Sequence, residues 1–130
     1  MTRKPLDKKR KAYLWGQRAE WLAILLLMCK GYRILARRFK CKSGEIDLIA
    51  QKRNLICFIE VKARATTYDA LYALSPQQRQ RITRAAEWYL SKNRHNGQGG
   101  ANDVICRFDV MAAEPWRLPI HVKDAWQMKN

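Results

Sequence analysis

The sequence predicts an α/β fold in which helices cover a mixed β-sheet, in the order helix, three strands, helix, strand. Three observations predict this fold. Apolar residues recur with helical spacing before residue 30, strand-like runs occupy positions 45–62, and a strong helix-start signal stands at Ser75. At 130 residues, the chain is long enough for one domain with one modest core.

The first helix is predicted from Lys11 to Lys30, and Gly31 supplies the stop signal. Its buried stripe has three- and four-residue spacing and comprises Trp15, Ala19, Leu22, Ala23, Leu26 and Leu27. The loosely alternating run from Tyr32 to Phe39 then predicts the first strand.

The next two strands are predicted to form a β-hairpin from the runs 45–50 and 55–62, which a polar turn joins. If that turn is symmetric, antiparallel pairing places Asp47 directly opposite Glu60. Period-two alternation then directs Asp47, Glu60 and Lys62 to one face of the hairpin. The opposite face would carry Ile46, Leu48, Ile59 and Val61.

The second helix has unusually clear start signals. Residues 65–74 are predicted as a loop, after which Ser75 is the N-cap, Pro76 takes the first helical position and Gln78 completes a capping box. The buried stripe of this helix is predicted to be Ile82, Ala85, Ala86, Tyr89 and Leu90.

The remaining segments complete the domain. Glycines predict a flexible loop at 96–100, a last strand follows from Val104 to Ala112, and a short tail ends the chain. Residues 1–11 are rich in Lys and Arg and are expected to form a flexible basic arm ahead of a single domain at 12–127.

Composition indicates the kind of partner. Lys and Arg number 26 against 11 Asp and Glu, which gives a formal net charge of +15. Such a charge predicts attraction to polyanions, with nucleic acid first and an anionic membrane second.

The four cysteines form no Cys-x-x-Cys pair and lack nearby histidines, which argues against a zinc site. The longest apolar run, at 21–29, is about half of what a bilayer requires, so we expect a cytoplasmic protein with reduced thiols and no membrane partner.

Two carboxylates that face each other repel unless a cation or a proton lies between them. A hydrophobic hairpin has no structural use for such a pair, whereas a divalent metal site does. An acidic residue followed by Glu-x-Lys on the next strand resembles the signature of the restriction-endonuclease-like PD-(D/E)XK nucleases. Five further motifs occur in order along the chain: GQRAE at 16–20, GYRIL at 31–35, GEIDLIA at 44–50, FIEVKAR at 58–64 and RFDV at 107–110. With these motifs, the chain resembles the YraN family of small bacterial proteins, which are similar to Holliday-junction resolvases.

The resemblance implies a restriction-endonuclease-like core and a metal-dependent DNA endonuclease. Asp47, Glu60 and the backbone carbonyl of Val61 would hold Mg²⁺ or Mn²⁺. Lys62 would orient or deprotonate the attacking water, although a salt bridge without catalysis explains it as well. Glu20 would complete the catalytic set, as a metal ligand or as a partner of Lys62. The alternative for Glu20 is an exposed helical carboxylate, but no basic residue lies one turn away from it.

Further residues are candidates for contact with nucleic acid: Gly16, Glu45, Arg64, Gln78, Arg79 and Arg81. For Glu45, a solvated or arginine-paired carboxylate is the better explanation from the residues alone. The family usually carries an asparagine where this chain has Arg38, a departure expected to affect the turn more than the chemistry. Asp109 is expected to accept hydrogen bonds from Arg107 or from a loop amide rather than to act in catalysis.

The predicted substrate is DNA, with branched or single-stranded forms as the preferred structures. Resolvase-like proteins often act as dimers, so the resemblance implies a homodimer. The main alternative is a non-catalytic module on the same fold that binds DNA or structured RNA. A third possibility is a basic protein that binds an acidic protein partner.

Overall fold

The computed structural model describes residues 5–93 and 104–128, with side chains from Lys8 onward. These described residues contain three helices and five strands. In chain order they are α1 (Pro5–Cys29), β1 (Arg33–Cys41), β2 (Gly44–Lys52), β3 (Leu55–Ala63), α2 (Thr67–Tyr72), α3 (Pro76–Lys92), β4 (Ile105–Ala113) and β5 (Ile120–Trp126).

The five strands form one sheet in the order β1-β2-β3-β4-β5. Neighbouring strands are antiparallel except β3 and β4, which run parallel because α2 and α3 make the crossover between them. The predicted α/β class with a mixed sheet and flanking helices is therefore confirmed.

The structure corrects three of the predicted elements. Helix α1 begins at Pro5, so the segment 5–11 is helical where a flexible arm was expected. That segment contains Lys, Arg and Leu, which are good helix formers, and it simply extends the helix. The loop expected at 65–74 contains α2, whose N-cap Thr66 accepts a hydrogen bond from the Asp69 amide. The expected C-terminal tail contains β5. Residues 1–4 and the predicted loop at 96–100 lie outside the described residues.

Apolar side chains pack on both faces of the sheet. On one face, Ile82 and Ala85 of α3 pack with a cluster that includes Phe58. On the other face, Ala23 and Leu27 of α1 pack with a cluster built from β2, β3 and β4. The helical stripes predicted for these two helices are therefore the surfaces that they bury. Within the described part of the chain, no helix combines the length and the apolar character needed to cross a bilayer.

The β2–β3 hairpin has the predicted register. Lys52 pairs with Leu55 across the turn, and the ladder continues to the pair Leu48 and Ile59. The turn residue Arg53 has a φ of 57°, the left-handed conformation that tight hairpin turns require. The next positions along the two strands are Asp47 and Glu60.

Candidate functional site

The candidate site lies where β2 and β3 stop pairing. Their ladder ends at Leu48 and Ile59, one step before the two carboxylates. The amide of Val61 instead donates a hydrogen bond to Oδ2 of Asp47 at 2.8 Å. The Asp47 carboxylate therefore accepts the bond that a backbone carbonyl would accept in a regular hairpin, and this contact fixes its position beside β3.

The other edge of β2 is also irregular at this position. The β1–β2 ladder passes from Arg37 with Leu48 to Phe39 with Ile46, and the pair between Arg38 and Asp47 is missing. Arg38 has a φ of 51°, which is rare for a non-glycine residue inside a strand.

The irregularity breaks the side-chain alternation that the sequence predicts. Leu48 and Ala50 pack on the α1 side of the sheet, whereas Ile49 packs on the α3 side. Ile46 also packs on the α3 side, so the prediction that it shares a face with Leu48 is wrong. Strict alternation fails because the chain is distorted at Asp47.

Glu60 is the most perturbed group of the site. Its side chain is almost fully buried; Oε2 lies 3.8 Å from Nζ of Lys62, and Nε2 of Gln78 donates to it at 3.4 Å. Burial, followed by the negative charge of Asp47, raises the pKa of Glu60 to about 8. Oε1 of Glu60 is buried and has no hydrogen-bond partner among the described residues.

A cleft of about 260 Å³ opens beside these residues, between α1 and the sheet. It brings four of the predicted site residues together, because Gly16 and Glu20 of α1 lie opposite Asp47 and Val61. Glu60 and Lys62 are not among its walls; Glu60 interacts with Asp47, and Lys62 lies 3.8 Å from Glu60. The complete lining is Ala12, Tyr13, Gly16, Gln17, Glu20, Arg38, Asp47, Val61 and Ala63.

Glu20 reaches the cleft but is bound by two arginines. Its Oε1 lies 3.1 Å from Arg37 and its Oε2 lies 3.5 Å from Arg38. The exposed carboxylate considered as an alternative is therefore wrong, since Glu20 is buried. Its partners lie on β1, so a search for basic residues one helical turn from Glu20 could not find them. Arg38, which was expected to affect the turn more than the chemistry, also lines the cleft.

The residues present fit a magnesium ion. Among the described residues there is no group of three or more His, Cys, Asp or Glu side chains around a common point. Magnesium, however, is commonly held by only one or two carboxylates together with water and substrate phosphate. Asp47 and Glu60 supply two such groups, and the unpaired buried Oε1 of Glu60 is the kind of atom that a cation would satisfy.

The other predicted contact residues are spread around this site. Gly16 lines the cleft, and a Cβ at this position would meet nothing within 4 Å. Glu45 is exposed and pairs with Lys40 at 3.3 Å, which agrees with a solvated carboxylate. Arg64 is exposed and donates to the carbonyl of Ala63, so phosphate contact by its side chain stays a prediction.

On α3, the Ser75 side chain caps the helix as predicted, by accepting from the amide of Gln78. The Gln78 side chain does not complete the capping box, because it points to Glu60 instead. Arg79 is half-buried, and its Nε is buried without a hydrogen-bond partner among the described residues, whereas Arg81 is exposed.

Asp109 has the structural role that the sequence predicts. It is fully buried and accepts hydrogen bonds from Arg107 at 2.8 and 2.9 Å and from the Asp124 amide at 2.9 Å. The His121 ring lies 2.7 Å away, a contact that the sequence did not reveal. Burial alone would raise the pKa of Asp109, but the bonds from His121 and Arg107 hold it well below its ordinary value.

Comparisons with known proteins identify the family. The model of the uncharacterised protein family UPF0102 matches residues 19–113. The UPF0102 protein mlr4633 of Mesorhizobium japonicum is 44% identical over 130 residues and covers all of both chains. The UPF0102 protein Atu0303 of Agrobacterium fabrum is 48% identical over 120 residues, which is 92% of this chain and 94% of the relative. The resemblance to YraN proteins is thereby confirmed, and the nuclease superfamily stays a prediction. The chain belongs to the UPF0102 family.

Proposed function

We propose that this protein is a metal-dependent endonuclease that hydrolyses phosphodiester bonds in DNA. The observation that carries the proposal is the convergence of Asp47, Glu60 and Lys62 at the point where β2 and β3 separate, with one buried carboxylate oxygen left unpaired. The contacts of the described residues satisfy Asp47 and one oxygen of Glu60 but leave Oε1 of Glu60 buried without a partner.

Each residue has a role that follows from its contacts. Asp47 is held by the Val61 amide, and Glu60 has a free oxygen, so these two carboxylates would hold the ion together with the Val61 carbonyl. The bound ion would neutralise a phosphate and make a nearby water more acidic. Lys62 is largely buried and adjacent to Glu60, where its ammonium would stabilise the negative charge that develops on the phosphate.

The charge of the chain supports a nucleic-acid substrate. With a net charge of +15, the protein would attract DNA through its phosphates, and its affinity would fall steeply as salt increases. Contacts to phosphates and to the shape of the DNA do not distinguish one base from another. Selectivity would therefore depend on DNA structure rather than on sequence.

A second candidate is a module on the same fold that binds nucleic acid without cutting it. One observation favours it: Arg37 and Arg38 already neutralise Glu20, the third acidic side chain of the region. Only two carboxylates then remain for a metal.

A cleavage assay separates the two functions. The protein is incubated with duplex, flapped and four-way-junction DNA in Mg²⁺ or Mn²⁺, beside the variants Asp47→Asn and Lys62→Met. Glu45→Gln is the matched control, since Glu45 lies on the same strand but is exposed and paired with Lys40. The proposal expects cleavage by the parent and by the control, and loss of cleavage in both site variants. Binding without cleavage in either metal supports the module, and cleavage that persists in both site variants refutes this site.

A further inference from the structure

Trp116 is the most exposed large apolar side chain described in the structure. Its side chain is 99% exposed, and its backbone has a φ of 64°, in the left-handed region. A bulky residue is unfavourable in that conformation, and exposure of the indole adds no packing that would offset it. The ring of Trp116 therefore lies in water, on a backbone conformation that is unfavourable for a bulky residue.

Two further aromatic rings are exposed on α2. Tyr68 and Tyr72 are 72% and 79% exposed, one helical turn apart. Their rings stack on each other with centroids 6.0 Å apart and planes inclined by 16°. Such a pair leaves its outer faces open to a third flat group.

These rings belong to the same edge of the sheet as the candidate site. Strands β3 and β4 run parallel and in register as far as Ala63 and Ala113, so the segments that follow them leave side by side. The backbone and hydroxyl of Thr67, at the start of α2, both donate to the Glu114 carboxylate, at 2.7 and 2.9 Å. This contact ties α2 to the turn that carries Trp116, two residues beyond Glu114.

The charges at this edge suit a polyanion. Arg64 directly follows β3, ahead of α2, and Arg117 follows Trp116. The Glu114 carboxylate is already bound by Thr67 and lies 3.8 Å from Arg117. Aromatic rings beside cationic groups are the usual means of binding single-stranded nucleic acid, because bases stack on the rings while the cations hold the phosphates.

We infer that Tyr68, Tyr72 and Trp116 form a stacking platform for unpaired bases of the DNA strand whose phosphate lies at the candidate site. The inference rests on the proposed function and specifies its substrate class, which is DNA with unpaired bases next to the scissile position. Fully paired DNA offers few base faces to such a platform, so the platform favours flaps and single strands.

The test compares two DNA ligands without divalent metal, so that binding is measured without cleavage. One ligand is a blunt duplex, and the other is the same duplex with a single-stranded flap that contains 2-aminopurine. The variants are Trp116→Ala and the double variant Tyr68→Ala/Tyr72→Ala. Trp88→Ala is the control, because Trp88 is a partly exposed tryptophan that packs on Phe39 of β1 instead. Anisotropy gives the dissociation constants, and 2-aminopurine quenching reports stacking directly.

We expect the flap dissociation constant to rise about tenfold for each stacked base that is lost, while the duplex value changes by less than about twofold. Quenching should disappear in the platform variants and persist in Trp88→Ala and in Trp116→Phe. If the parent binds and cleaves DNA but the platform variants equal the parent on the flap, the stacking inference fails and the proposed function stands. If the parent binds neither ligand, both fail.

Discussion

Replacement of Glu60 by Gln should stabilise the metal-free protein, and increasingly so as the pH rises. The Glu60 carboxyl is buried beside Asp47, which raises its pKa from an ordinary value of 4.5 to about 8. Below about pH 4.5 it is protonated in both the folded and unfolded states and costs folding nothing. Between about pH 4.5 and 8 the unfolded state releases the proton first, so the stability of the fold declines through this window and levels off above it.

The size of the effect follows from that gap. Each pH unit between the two pKa values is worth ~1.36 kcal/mol, so the gap corresponds to roughly 4–5 kcal/mol. The attraction of Lys62 already lowers this pKa, so the loss of that ion pair in the variant needs no further deduction. We therefore expect Glu60→Gln to gain roughly 4 kcal/mol more in unfolding free energy near pH 8.5 than near pH 4.5.

Urea unfolding of both proteins at the two pH values, in chelator, measures this difference. Glu45→Gln is the control, since its exposed carboxylate should give no such pH dependence. Added Mg²⁺ should then stabilise the parent near pH 8.5 and leave Glu60→Gln unchanged, because the ion binds the folded parent alone. A variant that is equally destabilised at both pH values, or equally stabilised by Mg²⁺, would refute the reasoning.

Three more outcomes are expected. Lys62→Met should lower the cleavage rate by at least ~100-fold and change DNA affinity by less than about threefold, as measured by gel cleavage and anisotropy. Asp109→Asn should lose about 3–5 kcal/mol of unfolding free energy at neutral pH, because the charge of Arg107 is left without its partner. Since the pKa of Asp109 is held below its ordinary value, this loss should shrink in acid as the parent's carboxylate is protonated, which urea unfolding at several pH values would show. Gly44→Ala should cost about 1 kcal/mol or more by thermal or urea unfolding, because its Cβ would lie 3.2 Å from the Arg81 carbonyl oxygen.

Local signals predicted much of the fold. The hairpin register followed from the length of its turn, and the start of α3 followed from Ser75 and Pro76, because both depend on residues close in sequence. Helix α2 was missed because it has only six residues and one capping threonine. Strand β5 was missed because it is a half-exposed edge strand without clear alternation.

The site was predicted less completely, since its decisive contacts are long-range. The signature indicated Asp47, Glu60 and Lys62, but nothing near Glu20 in sequence indicates that Arg37 and Arg38 neutralise it. The left-handed backbone of Arg38 was equally hidden. Asparagine tolerates that conformation better than arginine does, so the arginine is the more strained residue at this position.

The distortion of β2 makes the two carboxylates chemically unequal. In a regular hairpin, a backbone carbonyl would accept the hydrogen bond from the Val61 amide. The carboxylates of Asp47 and Glu60 would then have similar surroundings on their two strands. Here the Asp47 carboxylate takes that hydrogen bond, so part of its charge is compensated before any ligand arrives. Glu60 is buried, receives a long hydrogen bond from Gln78 and a 3.8 Å contact from Lys62, and keeps one oxygen unpaired, so burial and the charge of Asp47 raise its pKa. A cation that enters the site therefore gains most of its electrostatic stabilisation from Glu60. Asp47, which the Val61 amide fixes in position, would orient the cation beside it.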